Sequence, residues 1–135
     1  MKSKEYLNRI RYSDRLISSK FRQIKNLEDM ATKITMDLST ERVQSSGGDD
    51  KISSLVANIV DLQNEITRDI KKLINLKRDV VHKINSLPDA SHRMVLTLRY
   101  LEFKQWEQIA VEMEYSYQWV HRIHGRALQE FEKLL

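Results

Sequence analysis

The sequence predicts an all-α protein: a long antiparallel helical hairpin of coiled-coil type, followed by a C-terminal domain of three short helices. Three observations predict it. Apolar residues recur every seven positions along two stretches of similar length. The 135 residues include three glycines and one proline, which suits long helices and disfavours a turn-rich β fold. The last third of the chain carries helical apolar spacing broken by short, turn-like connections.

The first helix is read from Ile10, Ile17, Ile24, Ala31 and Leu38, with Leu27 and Ile34 as a second row. Ser13 and Lys20 weaken that second row in its earlier half, and Phe21 sits beside the seam. Arg11, Arg15, Arg22 and Lys25 fall off it. The segment Ser45-Ser-Gly-Gly48 has no periodicity and contains helix breakers, so a loop is expected near 39–50. The second helix is read from Ile52, Ile59, Ile66, Leu73, Val80 and Leu87. Leu55, Leu62 and Leu76 form its second row, interrupted by Asp69. Asp49 or Asp50 is the expected N-cap. Pro88 disfavours helical geometry at Leu87, so the helix should stop near Ser86. Arms of about 36 residues, each about 54 Å long at the helical rise, suit an antiparallel pair. Flanking Val56, Val60, Ile70, Ile74, Val81 and Ile84 leave an apolar stripe that self-association would cover, and a dimer is the expected oligomer.

Residues 87–135 form the second predicted domain, after a hairpin of residues 1–86. Its first helix spans 90–100, with Met94, Val95, Leu98 and Leu101 facing a small core. Residues 101–104 connect to a helix over 105–113, where Ile109 and Ala110 point inward and the small Ala110 permits a close crossing. Met113, Glu114 and Tyr115 make the turn. Ser116 caps the last helix by accepting from its first free N–H groups. Val120, Ile123 and Ala127 form that helix's buried face at i, i+3 and i+7. Two helices joined by a tight turn, the second with a polar outer face, make a helix-turn-helix, whose second helix enters a DNA major groove. The outer face carries Tyr117, Gln118, His121, Gly125 and, at its margin, Arg122. Gln pairs bidentately with adenine, and Arg reaches guanine or phosphate. Arg126 is more lateral and suits phosphate. Gly125 either lets a backbone approach the helix closely or permits packing within the domain. Trp106 and Trp119 read as packing residues that brace the turn.

Charge is distributed unevenly. Residues 1–25 hold eight Lys/Arg and two acids; residues 87–135 hold six basic and seven acidic residues, net −1. A DNA reader is usually basic, so affinity would draw on the basic N-terminal arm or on two-site binding. Cysteine is absent, which excludes disulfides and thiolate metal sites. His121 and His124 stand at a spacing used by metal sites but have no third ligand in the pattern, so no metal is expected. Neither a Gly-rich phosphate loop nor a nucleophile–base arrangement is evident, and Asp61, Glu65 and Asp69 read as a solvated face. No catalytic residue, enzymatic activity or cofactor is expected. No apolar run reaches the roughly 18–20 residues that span a bilayer, and the start Met1-Lys-Ser-Lys-Glu5 is too polar for a signal peptide. A soluble, cytoplasmic protein is the reading.

The residues Val95-Leu-Thr-Leu-Arg-Tyr100, Glu107-Gln-Ile-Ala110 and Val120-His-Arg-Ile-His-Gly-Arg-Ala-Leu128 resemble region four of bacterial primary sigma factors, which reads the −35 promoter element. The whole chain, and the run Trp106-Glu-Gln-Ile-Ala-Val-Glu-Met-Glu-Tyr-Ser-Tyr117 above all, resembles small phage- and prophage-encoded proteins of Gram-positive bacteria grouped with the ArpU-type late transcriptional regulators. The resemblance implies a DNA-binding fold of the winged-helix-like superfamily acting in a bacterial host cell. By position it makes Tyr117, Gln118, His121 and Arg122 the base-reading set. It makes Arg99, Lys104, Gln105 and Arg126 phosphate contacts. Two departures stand out. Glu114 occupies the turn position where Gly is usual, so the turn is expected to differ locally. The last helix opens Tyr-Gln rather than with Arg, so the −35 preference does not transfer. Residues 1–86 do not resemble the other sigma regions.

The reading is a sequence-specific transcriptional regulator of phage or prophage type, with helix 116–132 in the major groove of double-stranded DNA. Two alternatives stand beside it. One is a small-terminase-like DNA-packaging recognition subunit, which would assemble as a ring. The other is a helical adaptor that binds RNA polymerase.

Overall fold

The computed structural model describes residues 2–40 and 46–135. It is all-helical: α1 (Lys2–Thr40), α2 (Ser46–Asn85), α3 (Ala90–Leu96), a π-helical turn (Thr97–Leu101), α4 (Trp106–Met113) and α5 (Tyr117–Glu132). The loop expected near 39–50 is shorter than the sequence implied. Residue 40 still belongs to α1, and α2 has begun at Ser46; residues 41–45 lie outside the described residues. Gly47 and Gly48 are helical. Each glycine costs only about 1 kcal/mol in a helix, which leaves helix formation open. Asp49 and Asp50 therefore lie inside α2 and are not its N-cap.

The chain divides into two compact units, one of Arg15–Lys71 and one of Met1–Asp14 with Lys72–Leu135. Residues 1–14 of the first arm and 72–86 of the second group with the C-terminal helices.

In the unit Arg15–Lys71, α1 and α2 pair antiparallel through the predicted seams. Ile17, Ile24, Leu55 and Ile66 are buried. The polar breaks in the two seams meet each other: Lys20 Nζ lies 2.5 Å from Asp69 and 3.4 Å from Glu65. Hydrogen bonding to Asp69 outweighs desolvation and raises the Lys20 pKa. A polar pair set in an apolar seam favours one register, since a slip would strand both partners. Val56 and Val60 stay exposed, as does Phe21 beside the seam.

In the other unit, Leu7 and Ile10 from α1 and Leu73, Val80, Ile84 and Leu87 from the second arm are buried. Ile84, assigned to an exposed flank by its spacing, is core. Tyr6 donates to Asp79, which Lys83 also contacts at 2.6 Å. The Tyr6 ring centroid lies 6.1 Å from that of Phe131.

Helix α2 stops at Asn85, as Pro88 requires. Asp89 caps α3, accepting from the Ser91 and His92 N–H groups at 2.8 and 3.4 Å. Arg93 fastens the junction by donating to the Leu87 and Pro88 carbonyls.

The helix expected over 90–100 is α-helical only to Leu96. Its continuation widens to i→i+5 bonding, with Glu102 N–H donating to Thr97 O at 3.1 Å. The wider turn shifts the inward phase. Val95, Leu96, Leu98 and Tyr100 are buried, whereas Met94 is exposed and Leu101 half-buried. Phe103 then takes a left-handed φ of 58°, and Lys104 N–H donates to Leu98 O at 3.0 Å.

Candidate nucleic-acid interface

The α4–turn–α5 segment follows from local chemistry. Gln105 caps α4, its backbone N–H donating to Gln108 Oε1 at 3.2 Å. Ile109 and Ala110 anchor α4 in the core. The helix ends with Glu114 at φ 58°, ψ 39°. Two backbone bonds close the end: Tyr115 N–H to Ala110 O at 3.1 Å and Glu114 N–H to Val111 O at 3.2 Å. That is the Schellman closure, which usually places Gly at the left-handed residue. The turn therefore keeps the geometry that glycine favours, and Glu114 carries a strain of about 1 kcal/mol. The sequence predicts a local departure here; the paired backbone bonds hold the turn instead.

Ser116 caps α5, its Oγ accepting from Trp119 N–H at 3.1 Å. Val120, Ile123 and Ala127 are buried, joined by His124, Leu128 and Phe131. The opposite face presents Tyr117, Gln118, Arg122 and Arg126 to solvent. The Arg126 guanidinium lies 5.4 Å from the centre of the Trp119 ring. An ideal Cβ on Gly125 would meet nothing within 4 Å. Packing within the fold therefore does not require a glycine there.

His121 is half-buried, unlike the three exposed members of the base-reading set. Its ring stands between two others: Trp106 at 4.5 Å and Tyr117 at 4.6 Å between centroids. Trp106 also meets His124 edge-on at 4.6 Å, and the Arg99 guanidinium lies over the Trp106 ring, 4.5 Å from its centre. A series of ring contacts, tilted and edge-to-face, thus leads from Arg99 through Trp106 and His121 to Tyr117 at the start of α5. Trp106 packs, as the sequence indicated.

The four phosphate candidates sit in different circumstances. Arg126 is exposed. Lys104 is engaged by Glu112 and lies 3.6 Å from Glu102; these carboxylates hold its pKa up. Gln105 is committed to the α4 cap through its backbone N–H. Arg99 is half-buried and donates to the Lys104 carbonyl at 3.0 Å.

His124 is a core residue that sequence spacing did not identify. Its Nε2 lies 2.7 Å from the Tyr100 hydroxyl. Burial, with the nearby charges of Lys4, His121 and Arg99, pushes its pKa down to about 4. Burial pushes the Tyr100 hydroxyl up to about 12. The imidazole is therefore neutral near pH 7 and can accept from Tyr100. Among the described residues, no three His, Cys, Asp or Glu side chains gather in a way that would hold a metal ion. Among them, too, no helix is long and apolar enough to cross a membrane.

Residues 33–132 match the family described as "Protein of unknown function (DUF1492)". The chain belongs to the DUF1492 family. The match takes in the end of α1, all of α2 and the whole α3–α5 segment, so the second arm of the hairpin and the C-terminal helices lie together within the DUF1492 unit, while most of α1 precedes it. No curated protein and no solved structure matches the chain.

Proposed function

We propose that this DUF1492 protein is a sequence-specific DNA-binding transcriptional regulator of phage or prophage type, with α5 as the helix that enters the major groove. The observation that carries this reading is the α4–turn–α5 geometry. A Schellman-closed turn and a Ser116-capped helix bury Val120, Ile123 and Ala127, which leaves Tyr117, Gln118 and Arg122 outward at the start of α5. Recognition helices present base-reading side chains at that end. Gln118 offers both a donor and an acceptor to an adenine edge, and Arg122 reaches guanine. His121, wedged between Trp106 and Tyr117, steadies Tyr117 as well as bordering the groove. Arg126, farther along α5, contacts backbone phosphate. The resemblance to sigma region four supports the same assignment.

Binding of duplex DNA by single variants tests it. Gln118→Ala is expected to change base preference by about 1–3 kcal/mol at the pairs it reads. Arg126→Ala should weaken all sequences alike and lower the salt slope by about one. Equal loss on every sequence for Gln118→Ala would refute direct readout by α5.

Association into a dimer accompanies this reading. Val56, Val60, Ile74 and Val81 are exposed apolar residues on α2, and burying such residues favours self-association. A two-fold dimer would read half-sites about 10 base pairs apart or a multiple of that. Sedimentation equilibrium checks the stoichiometry.

A second reading rests on the outer face of α4. Val111 is 77% exposed, beside Glu107, Gln108 and Glu112 on a shallow groove. An apolar residue in acidic surroundings suits a protein partner, and RNA polymerase is the candidate. Retained binding to polymerase without binding to DNA would favour this reading over the first.

A further inference from the structure

Two guanidinium groups from different helices sit on aromatic rings of the Phe103–Trp106 segment, and one of them comes from the N-terminal helix. Arg99 comes from the π-helical turn, and Lys4 and Arg11 come from α1, seven residues apart and so on nearly one face of that helix. Arg99 donates to the Lys104 carbonyl at 3.0 Å, next to Phe103, whose ring Arg11 meets, and the charges of the two groups bear on the same neighbours. Burial first, and then the charge of Arg11, lowers the Arg99 pKa, with Glu107 acting in the opposite direction. Arg99 and Arg11 both act on Tyr100, and Lys4 and Arg99 both act on His124.

Carboxylates do not hold these groups in place. Among the described residues, no ion pair involves Lys4, Arg11 or Arg99. Aromatic faces position the two guanidinium groups instead: Arg11 lies 5.4 Å from the centre of the Phe103 ring and Arg99 lies 4.5 Å from that of Trp106. Ring contact fixes a guanidinium while leaving its edge N–H groups free to donate. Arg99 spends one donor on the Lys104 carbonyl, out of five. Phe103 is carried in a left-handed backbone conformation, a costly arrangement for a bulky residue, and Arg11 meets its ring. Lys104 makes the contrast: its charge is already matched by Glu112 and Glu102.

Arg11 and Arg99 repel one another with no ion pair on either to offset it, and an anion seated among these cations relieves the repulsion. Paired N–H edges of guanidinium groups suit two oxygens on one tetrahedral centre. We propose that Arg11 and Arg99, assisted by Lys4, form a binding site for a backbone phosphate of duplex DNA, so that α1 contributes directly to the nucleic-acid interface. This inference rests on the DNA-binding reading above and adds α1 to it. It also gives the basic N-terminal residues of a chain whose residues 87–135 are net −1 a specific task.

The test is fluorescence anisotropy of the full chain on a duplex selected from random sequence, titrated from 0.1 to 1 M KCl as chosen concentrations spanning about one decade of screening. Arg11→Met removes the charge and keeps an unbranched stem against Phe103; Lys4→Gln is the second variant. Arg15→Gln, an exposed cation farther along α1, controls for net charge. One lost phosphate contact lowers the slope of log Kd against log salt by about 0.9, equivalent to about a fivefold weaker Kd at 0.15 M relative to 1 M. Arg11→Met is expected to show that change, with the ratio of selected to scrambled duplex unaltered and Arg15→Gln near wild type. Circular dichroism of each variant verifies that the fold persists. Wild-type slope for Arg11→Met and Lys4→Gln, with sequence preference intact, overturns the phosphate site and leaves α5 readout standing. A fall equal to that of Arg15→Gln also overturns it, because bulk charge then accounts for the effect. No DNA binding by the wild-type chain at any salt overturns both readings.

Discussion

Lowering the pH from 7 to 5 should destabilise the protein through one buried side chain, His124. Its imidazole is 8% exposed, is held 2.7 Å from the Tyr100 hydroxyl, and has a folded pKa of about 4. In the unfolded chain the same group takes up a proton near the ordinary value of about 6.5. Between those two values the unfolded state binds more protons than the folded state, so stability falls as pH falls. The contribution is complete above about pH 6.5, declines through the window, and stops declining below about pH 4. A full shift would give a change of about 1.36 kcal/mol per pH unit within the window. From pH 7 to pH 5 this amounts to roughly 1–2 kcal/mol once residual solvation is allowed for. Asp79 and Asp89 are held below the usual carboxylate range, Asp79 chiefly by Lys83 and Asp89 chiefly by Ser91. Their contributions fade only at lower pH and leave the window to His124. Urea unfolding followed at 222 nm at pH 7 and pH 5 provides the measurement. His124→Gln retains an acceptor for Tyr100 and has no charge to gain, so its stability should lose most of this dependence. Equal pH dependence in the wild type and His124→Gln would refute the assignment.

Three further outcomes are expected. Glu114→Gly should stabilise the fold by about 0.5–1 kcal/mol, because glycine accepts the left-handed conformation without a Cβ penalty; thermal unfolding checks it. Gly125→Ala should also stabilise by roughly 0.5–1 kcal/mol, since an added Cβ meets nothing within 4 Å, and weaker DNA binding by the stabilised variant would show that the exposed backbone there serves the interface. Lys20→Asp or Asp69→Lys alone should lower the melting temperature by placing like charges together in the seam, and the double exchange should recover most of the loss, because the two side chains meet at 2.5 Å; failure of the double exchange to recover would contradict the antiparallel register.

The parts of the fold that were legible in the sequence are those governed by near neighbours. Ser116 announces α5 because a capping hydroxyl acts three residues away, and Val120, Ile123 and Ala127 declare the buried face by spacing alone. The two seams likewise follow from repeats within each helix. Asp69 and Lys20 looked like separate defects, because their cancellation needs residues 49 positions apart to meet. His124 escaped notice for a similar reason: its partner Tyr100 lies on another element, and the π-helical turn that brings Tyr100 inward depends on bonding that no local pattern encodes. Gly47 and Gly48 misled the loop boundary because propensity is a weak prior. The candidate site divides in the same manner. Tyr117, Gln118 and Arg122 emerge outward as periodicity predicted. The availability of Arg99 and Lys104 was hidden, since it depends on Trp106 in one case and on Glu112 in the other.

Selection of duplex DNA from a randomised pool by the full chain, at moderate salt, tests the central claim most directly. Recovery of a defined motif that Gln118→Ala alters is the predicted result, and a repeat of that motif at about one helical turn would match a two-fold dimer. Recovery of no motif, even at low salt where phosphate contacts are strongest, would contradict the account and transfer the exposed face of α4 and α5 to a protein partner.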